Sequence, residues 1–156
     1  MLRTVSTDLS GFVRTSDGSF GGVFTVAALS TGTWTHVALT WDGSTLRGYK
    51  NATVGSTTYA TTGNTNSASI ATDKLGTTAT STTQHWDGQI AEVAIYRRVL
   101  SQGELTILTA GFTPPCLSGA SRVFYAPLIR EIPDLHGAAG TATGTAASDH
   151  PRIFQC

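Results

Sequence analysis

Charge is what this sequence has least of. Ten of its 156 residues are Lys or Arg and ten are Asp or Glu, 13% in all, about half of ordinary globular usage. The basic residues are scattered apart from the pair Arg97 and Arg98. Without a basic stretch to displace phosphate counterions, a nucleic-acid partner is not expected. Long apolar runs are also missing. None approaches the roughly 20 residues that span a bilayer, so no membrane insertion is expected. The opening MLRTVSTDLSG has no apolar run of about 7 to 15 residues, as a secretory leader would need. Cysteine is limited to Cys116 and Cys156, which do not make a disulfide framework. Two free thiols are expected, with a pair closing the C-terminal segment as the alternative. Glutamate occurs only at Glu92, Glu104 and Glu131. No Glu-x-Asp-x-Glu strand supplies the two carboxylates, about 5 to 10 Å apart, that glycoside hydrolysis uses.

What is present in quantity is threonine, with serine, glycine and alanine. Threonine falls in short runs that favour strands and turns over helices, so the expected class is all-β. Gly11–Thr15 and Val23–Ala27 are strand candidates separated by Ser16, Asp17, Gly18 and Ser19, an Asp-Gly turn between apolar runs. From Trp34 to Trp41 the residues alternate, with His36, Ala38 and Thr40 on one face and Val37, Leu39 and Trp41 on the other, as in a half-buried strand. Asp42, Gly43 and Ser44 turn the chain. Leu46 to Lys50 returns it with Leu46 and Gly48 on one face, and Asn51 and Ala52 turn it again. Between Thr53 and Thr83 two or three short strands are expected, anchored by Tyr59, Ile70 and Leu75, with a long loop over 77–83.

The stretch QHWDGQIAEVAIYRRVLSQGELTILTAG, residues 84–111, predicts a strand from Gln89 to Tyr96 with Ala91, Val93 and Ile95 sharing a face. A helix of about two turns follows. Ser101 with Glu104 three residues on is a capping box, Gly111 is the stop, and Leu105 and Leu108 face inward. Thr113, Pro114, Pro115 and Cys116 mark a boundary, giving a domain over 1–112 and a C-terminal extension over 113–156. One further strand is expected at Val123–Ile129, with Pro127 near its end. The extension holds too few apolar residues for its own core and is expected to pack on the domain or on a partner.

Trp34, Thr35, His36, Val37 and Ala38, then Asp42 and Gly43, then Leu46 to Asn51 resemble the W-x-H-V-A hairpin of laminin-G-like domains. Leu75 and Gly76 are similar to that family's L-x-I-G strand. Trp86 to Val93, Tyr96, Leu100, Ser101 and Glu104 resemble its closing strand and helix. The resemblance implies a concanavalin A-like, antiparallel jelly-roll β-sandwich with one short C-terminal helix. Fewer residues precede Trp34 than the family's complete sandwich has, which implies either that the first strands are lacking because the chain is part of a larger protein, or a minimal sandwich whose open edge a partner covers. Ala52 stands where the family has Gly, which implies a less tight turn. Ala91 replaces the family's Asp, which removes a carboxylate that could orient a loop or help hold a metal. Segments of the tail, Phe124 to Arg130, Asp134 to Gly137 and Asp149 to Ile153, are similar to extensions found on laminin-G-like modules of tailed bacteriophages.

No catalytic residue and no metal ligand is assigned. No two histidines have the i, i+4 spacing of a helical zinc site, and no nucleophile has a neighbouring base. His36, mid-strand, is read as a packed and hydrogen-bonded residue. Asp73, Gln84 and His85 are the ligand-binding candidates, His85 because it lies in a loop beside Trp86. No cofactor is expected; calcium would call on Asp73 and Asp87 from one rim. Trp34, Trp41 and Trp86 invite sugar stacking, but their places in the resembled family favour core packing. The match of Asn51, Ala52 and Thr53 to a glycosylation sequon is taken as accidental. The resemblance implies a non-enzymatic display or attachment protein on a bacteriophage surface, as a head decoration or fibre component. Its partners would then be other virion proteins, copies of itself or surface glycans. The alternative is the carbohydrate-binding module of a secreted or cell-surface protein.

Overall fold

A computed structural model describes residues 2–5, 8–11, 24–60, 86 and 88–128. The chain divides into two compact units, residues 1–69 with 98–110, and residues 70–97 with 111–156. The described elements are all-β apart from one short helix, with every strand pairing antiparallel.

In the first unit, β1 (Leu2–Val5), β2 (Asp8–Gly11) and β3 (Phe24–Ala28) form one sheet in that order. Of the strand expected over 11–15 only Gly11, the last residue of β2, is described; residues 12–15 and the Asp17-Gly18 turn lie outside the described residues. β3 falls within a residue of its expected position.

A second sheet runs β4 (Val37–Trp41), β5 (Thr45–Lys50) and β6 (Thr53–Ala60). Its first turn follows from the chemistry of Asp42. One carboxylate oxygen accepts from the Ser44 and Thr45 amides at 2.9 and 2.7 Å, while Gly43 takes φ +96°, a conformation that glycine adopts freely. In β5, Leu46 and Gly48 are both buried, as their spacing predicts. Cα atoms of β3 come within 8 Å of those of β5 and β6, and Lys50 Nζ donates to the Ala28 carbonyl at 2.6 Å.

The second turn, Asn51 and Ala52, is tight despite the alanine: both residues adopt left-handed φ, +48° and +62°. That is the geometry of a two-residue hairpin turn, so the looser turn implied by Ala52 does not form. The Asn51 side chain helps to hold it. Its Oδ1 accepts from the His36 amide at 3.0 Å, and its own amide donates to the His36 carbonyl at 2.9 Å.

The helix α1 (Gln102–Thr109) also belongs to the first unit. Ser101 and Glu104 form the expected capping box, and Gly111 follows the last turn at φ +94°. Leu105 is fully buried at 0% exposure and Leu108 is half-buried. With Leu46, Tyr49, Ala52 and Leu100, Leu105 supplies the buried apolar side chains of this unit among the described residues.

In the second unit, β7 (Val93–Tyr96) pairs with β8 (Arg122–Ala126), with a register shift between Ile95 and Tyr96. β7 is shorter than the strand expected from Gln89, because Glu92 takes φ +55° immediately before it. Ile95, expected to share an apolar face with Ala91 and Val93, is 54% exposed. Two short 3-10 turns, Pro114–Cys116 and Gly119–Ser121, connect to β8. Cys116 is disulfide-bonded, which corrects the expectation of free thiols. Thr113, Pro114, Leu117, Tyr125 and Ala126 are buried here.

Candidate functional site

The ligand-binding candidates Asp73, Gln84 and His85 lie outside the described residues, as do Asp87 and the tail segments beyond Leu128. Chemistry can therefore be read only at the acids, histidine and aromatic residues that are described. Among the described residues no three His, Cys, Asp or Glu side chains gather as a metal would require.

Each described carboxylate side chain is tied to a structural partner. Asp42 accepts from Arg47 Nη1 at 2.7 Å and from the backbone of its own turn. The arginine first, and then Ser44 and Thr45, hold its carboxyl well below the usual range. Glu104 accepts from both terminal nitrogens of Arg98, in one case at 2.7 Å, and from the Ser101 amide at 2.8 Å. Those bonds, Arg98 foremost, lower its pKa to about 2. Arg98 and the helix cap thus share one acid, which the sequence alone did not suggest.

Glu92 sits in the second unit, where its backbone amide donates to the Pro127 carbonyl at 3.2 Å. Its Oε2 accepts from the Tyr125 hydroxyl at 2.7 Å. Tyr125 is only 4% exposed. Burial first, and then the adjoining Glu92, push its phenol well above the ordinary value. The Arg122 guanidinium lies 5.6 Å from the Tyr125 ring centroid, within cation–π range, and donates to the Pro114 carbonyl at 2.9 Å. Tyr96 donates to the same carbonyl at 3.2 Å. Sequence reasoning missed this cluster, since Tyr125 and Arg122 lie about thirty positions from Glu92 and meet it only through the β7–β8 register.

His36 is half-buried and hydrogen-bonded, as expected, although it stands just before β4 rather than mid-strand. Its Nδ1 lies 3.1 Å from Thr109 Oγ1 on α1, and burial lowers its pKa. Gln102 Nε2 reaches the Ala52 carbonyl at 2.7 Å from the other end of the helix.

The three tryptophans do not share one environment. Trp41 and Trp86 are half-buried, and their indole N–H groups are buried with no hydrogen-bond partner among the described residues. Gly88 lies so close to Trp86 that a Cβ there would stand 2.9 Å from Nε1. Trp34, expected in the core, is instead 43% exposed, with a broad aromatic face of the kind that stacks on a sugar ring.

The family model for the concanavalin A-like lectin/glucanases superfamily matches residues 3–106, more than half of the chain. No curated protein and no solved structure matches it.

Proposed function

The chain belongs to the concanavalin A-like lectin/glucanases superfamily, and on that premise we propose that it is a non-enzymatic attachment module displayed on a surface, namely a head-decoration or fibre component of a bacteriophage particle. The observation that carries the attachment reading is the state of the acids. Asp42 is committed to Arg47 and its turn, Glu92 to Tyr125, and Glu104 to Arg98 and the helix cap. A glycosidase keeps one carboxyl for proton donation and a second for the opposite side of the scissile bond. These three acids are spent on holding the fold.

Placement on a particle is supported by the tail's likeness to phage modules and by a sequence rich in threonine and poor in charge. The Cys116 disulfide fits a surface that meets an oxidising medium. Partners are neighbouring virion proteins or further copies of the chain. The test is composition. Purified particles, digested and analysed by mass spectrometry, contain this chain in stoichiometric amount; its absence from clean particles rejects the placement.

A second reading, carbohydrate binding on an extracellular surface, is favoured by Trp34. An exposed indole at 43% accessibility offers a flat face for a pyranose ring. Glycan-array binding that disappears in Trp34→Ala supports it. Binding unchanged by that substitution removes Trp34 from the account.

A further inference from the structure

The helix α1 is held at both ends, by the β5–β6 turn at its start and by His36, which is paired to that turn, at its end. Gln102, in its first turn, donates to the Ala52 carbonyl at 2.7 Å. Thr109, in its last turn, meets His36 Nδ1 at 3.1 Å. The His36 backbone in turn is paired with Asn51: its amide donates to Asn51 Oδ1 at 3.0 Å, and its carbonyl accepts from the Asn51 amide at 2.9 Å. One residue therefore joins three elements: the His36 backbone ties the start of β4 to the Asn51–Ala52 turn, and its imidazole meets the end of α1. The helix buries Leu105 completely, so loosening it exposes core.

We propose that His36 is an acid-sensitive latch, in which protonation of its ring releases α1 from the β5–β6 turn. In the tautomer that carries its proton on Nε2, the neutral ring accepts from the Thr109 hydroxyl at Nδ1. Once protonated, Nδ1 becomes a donor and the hydroxyl must reverse its role. The greater cost is the charge, which would be created in a desolvated place.

No described acid faces His36 to offset that charge. Among the elements packed on it, β4 has no ionisable side chain, and the turn contributes Asn51 and Ala52. On β5, Arg47 is bonded to Asp42 and Lys50 to the Ala28 carbonyl, and the remaining titratable side chain is the buried phenol of Tyr49. The carboxylate on α1, Glu104, is bonded to Arg98 and Ser101 at the far end of the helix. The carbonyl end of α1 gives a partial negative potential that favours a cation. Burial outweighs it, because the pKa of His36 lies below its ordinary 6.5.

The sign follows. Between the lowered value and 6.5 the released state binds more protons than the latched one. The latch is therefore fully closed above pH 6.5 and weakens as pH falls through that window.

Hydrogen-exchange mass spectrometry on the full chain tests this. Protection of the segment 98–110 is compared at about pH 7.5 and about pH 5.5, after correction for the intrinsic pH dependence of exchange. Protection falls by up to about tenfold per pH unit, the slope for one proton, while the β4–β5 amides hold theirs. His36→Gln, whose amide can still meet Thr109, loses the pH dependence. Equal protection at both pH values in the wild type, or the same loss in His36→Gln, overturns the latch. A ring titration of His36 by NMR in the wild type needs no variant: a midpoint at or above 6.5 also overturns it.

Discussion

Tyr125, buried in β8, donates its hydroxyl to Glu92 at 2.7 Å across the β7–β8 pair. Glu92 is held there with a left-handed backbone, and Leu128 on the other side has the same conformation at φ +56°. Two non-glycine residues in that region are costly, and the Tyr125 bond with the Glu92–Pro127 backbone bond holds the strained end of the pair. A hydrogen bond to a charged group contributes about 1.5 to 3 kcal/mol. Tyr125→Phe keeps the ring and removes the donor, so it loses stability in that range by urea denaturation. A loss under about 0.5 kcal/mol, the scale of an ordinary surface substitution, contradicts the assignment.

Ala52 makes the opposite test, of a turn rather than a bond. It is buried and left-handed at φ +62°, a region that a β-branched residue enters only with strain. Ala52→Val adds apolar volume, yet it destabilises by about 1 to 3 kcal/mol. An unchanged urea midpoint would mean that the turn relaxes to another type.

The helix cap predicts a pH dependence separate from that of His36. The folded pKa of Glu104 is about 2 against an ordinary 4.5. Its contribution to stability is present above 4.5 and is lost as pH falls toward 2. Glu104→Gln flattens that acid limb in thermal melts. Ser101→Ala loses about 1 kcal/mol at neutral pH. A Glu104→Gln profile that parallels the wild type between these values contradicts the cap.

The cysteines predict a labelling result. Unfolded but unreduced protein takes up no iodoacetamide, because the chain has two cysteines and Cys116 is disulfide-bonded. After reduction it takes up two. Labelling before reduction contradicts the disulfide.

Several elements were legible because their signals are local. Asp42-Gly43-Ser44 specifies its turn by side-chain bonds within three residues, and Ser101 with Glu104 specifies the cap in the same way. The alternation at Leu46 and Gly48 marks the buried face of β5. The failures were non-local. Ile95 alternates correctly with Val93, yet nothing in spacing says whether a neighbour covers it, and it is 54% exposed. Trp34 reads as core by family position and is exposed. The strand expected from Gln89 is cut short by the φ of Glu92, which its pairing with Pro127 and Tyr125 imposes from a distance. The grip of Gln102 on Ala52 spans fifty residues and leaves no trace in sequence spacing. Of the candidate site, the commitment of Glu104 to a cap was readable. The ties of Glu92 to Tyr125 and of Asp42 to Arg47 needed coordinates.

The central claim, display of this superfamily member on a particle surface, is tested most directly by immunogold electron microscopy of intact particles from the culture that produces the chain. An antibody raised against the purified protein should decorate the particle exterior at regular positions. Intact particles that carry no gold, alongside free protein in the same culture that does, would contradict the claim.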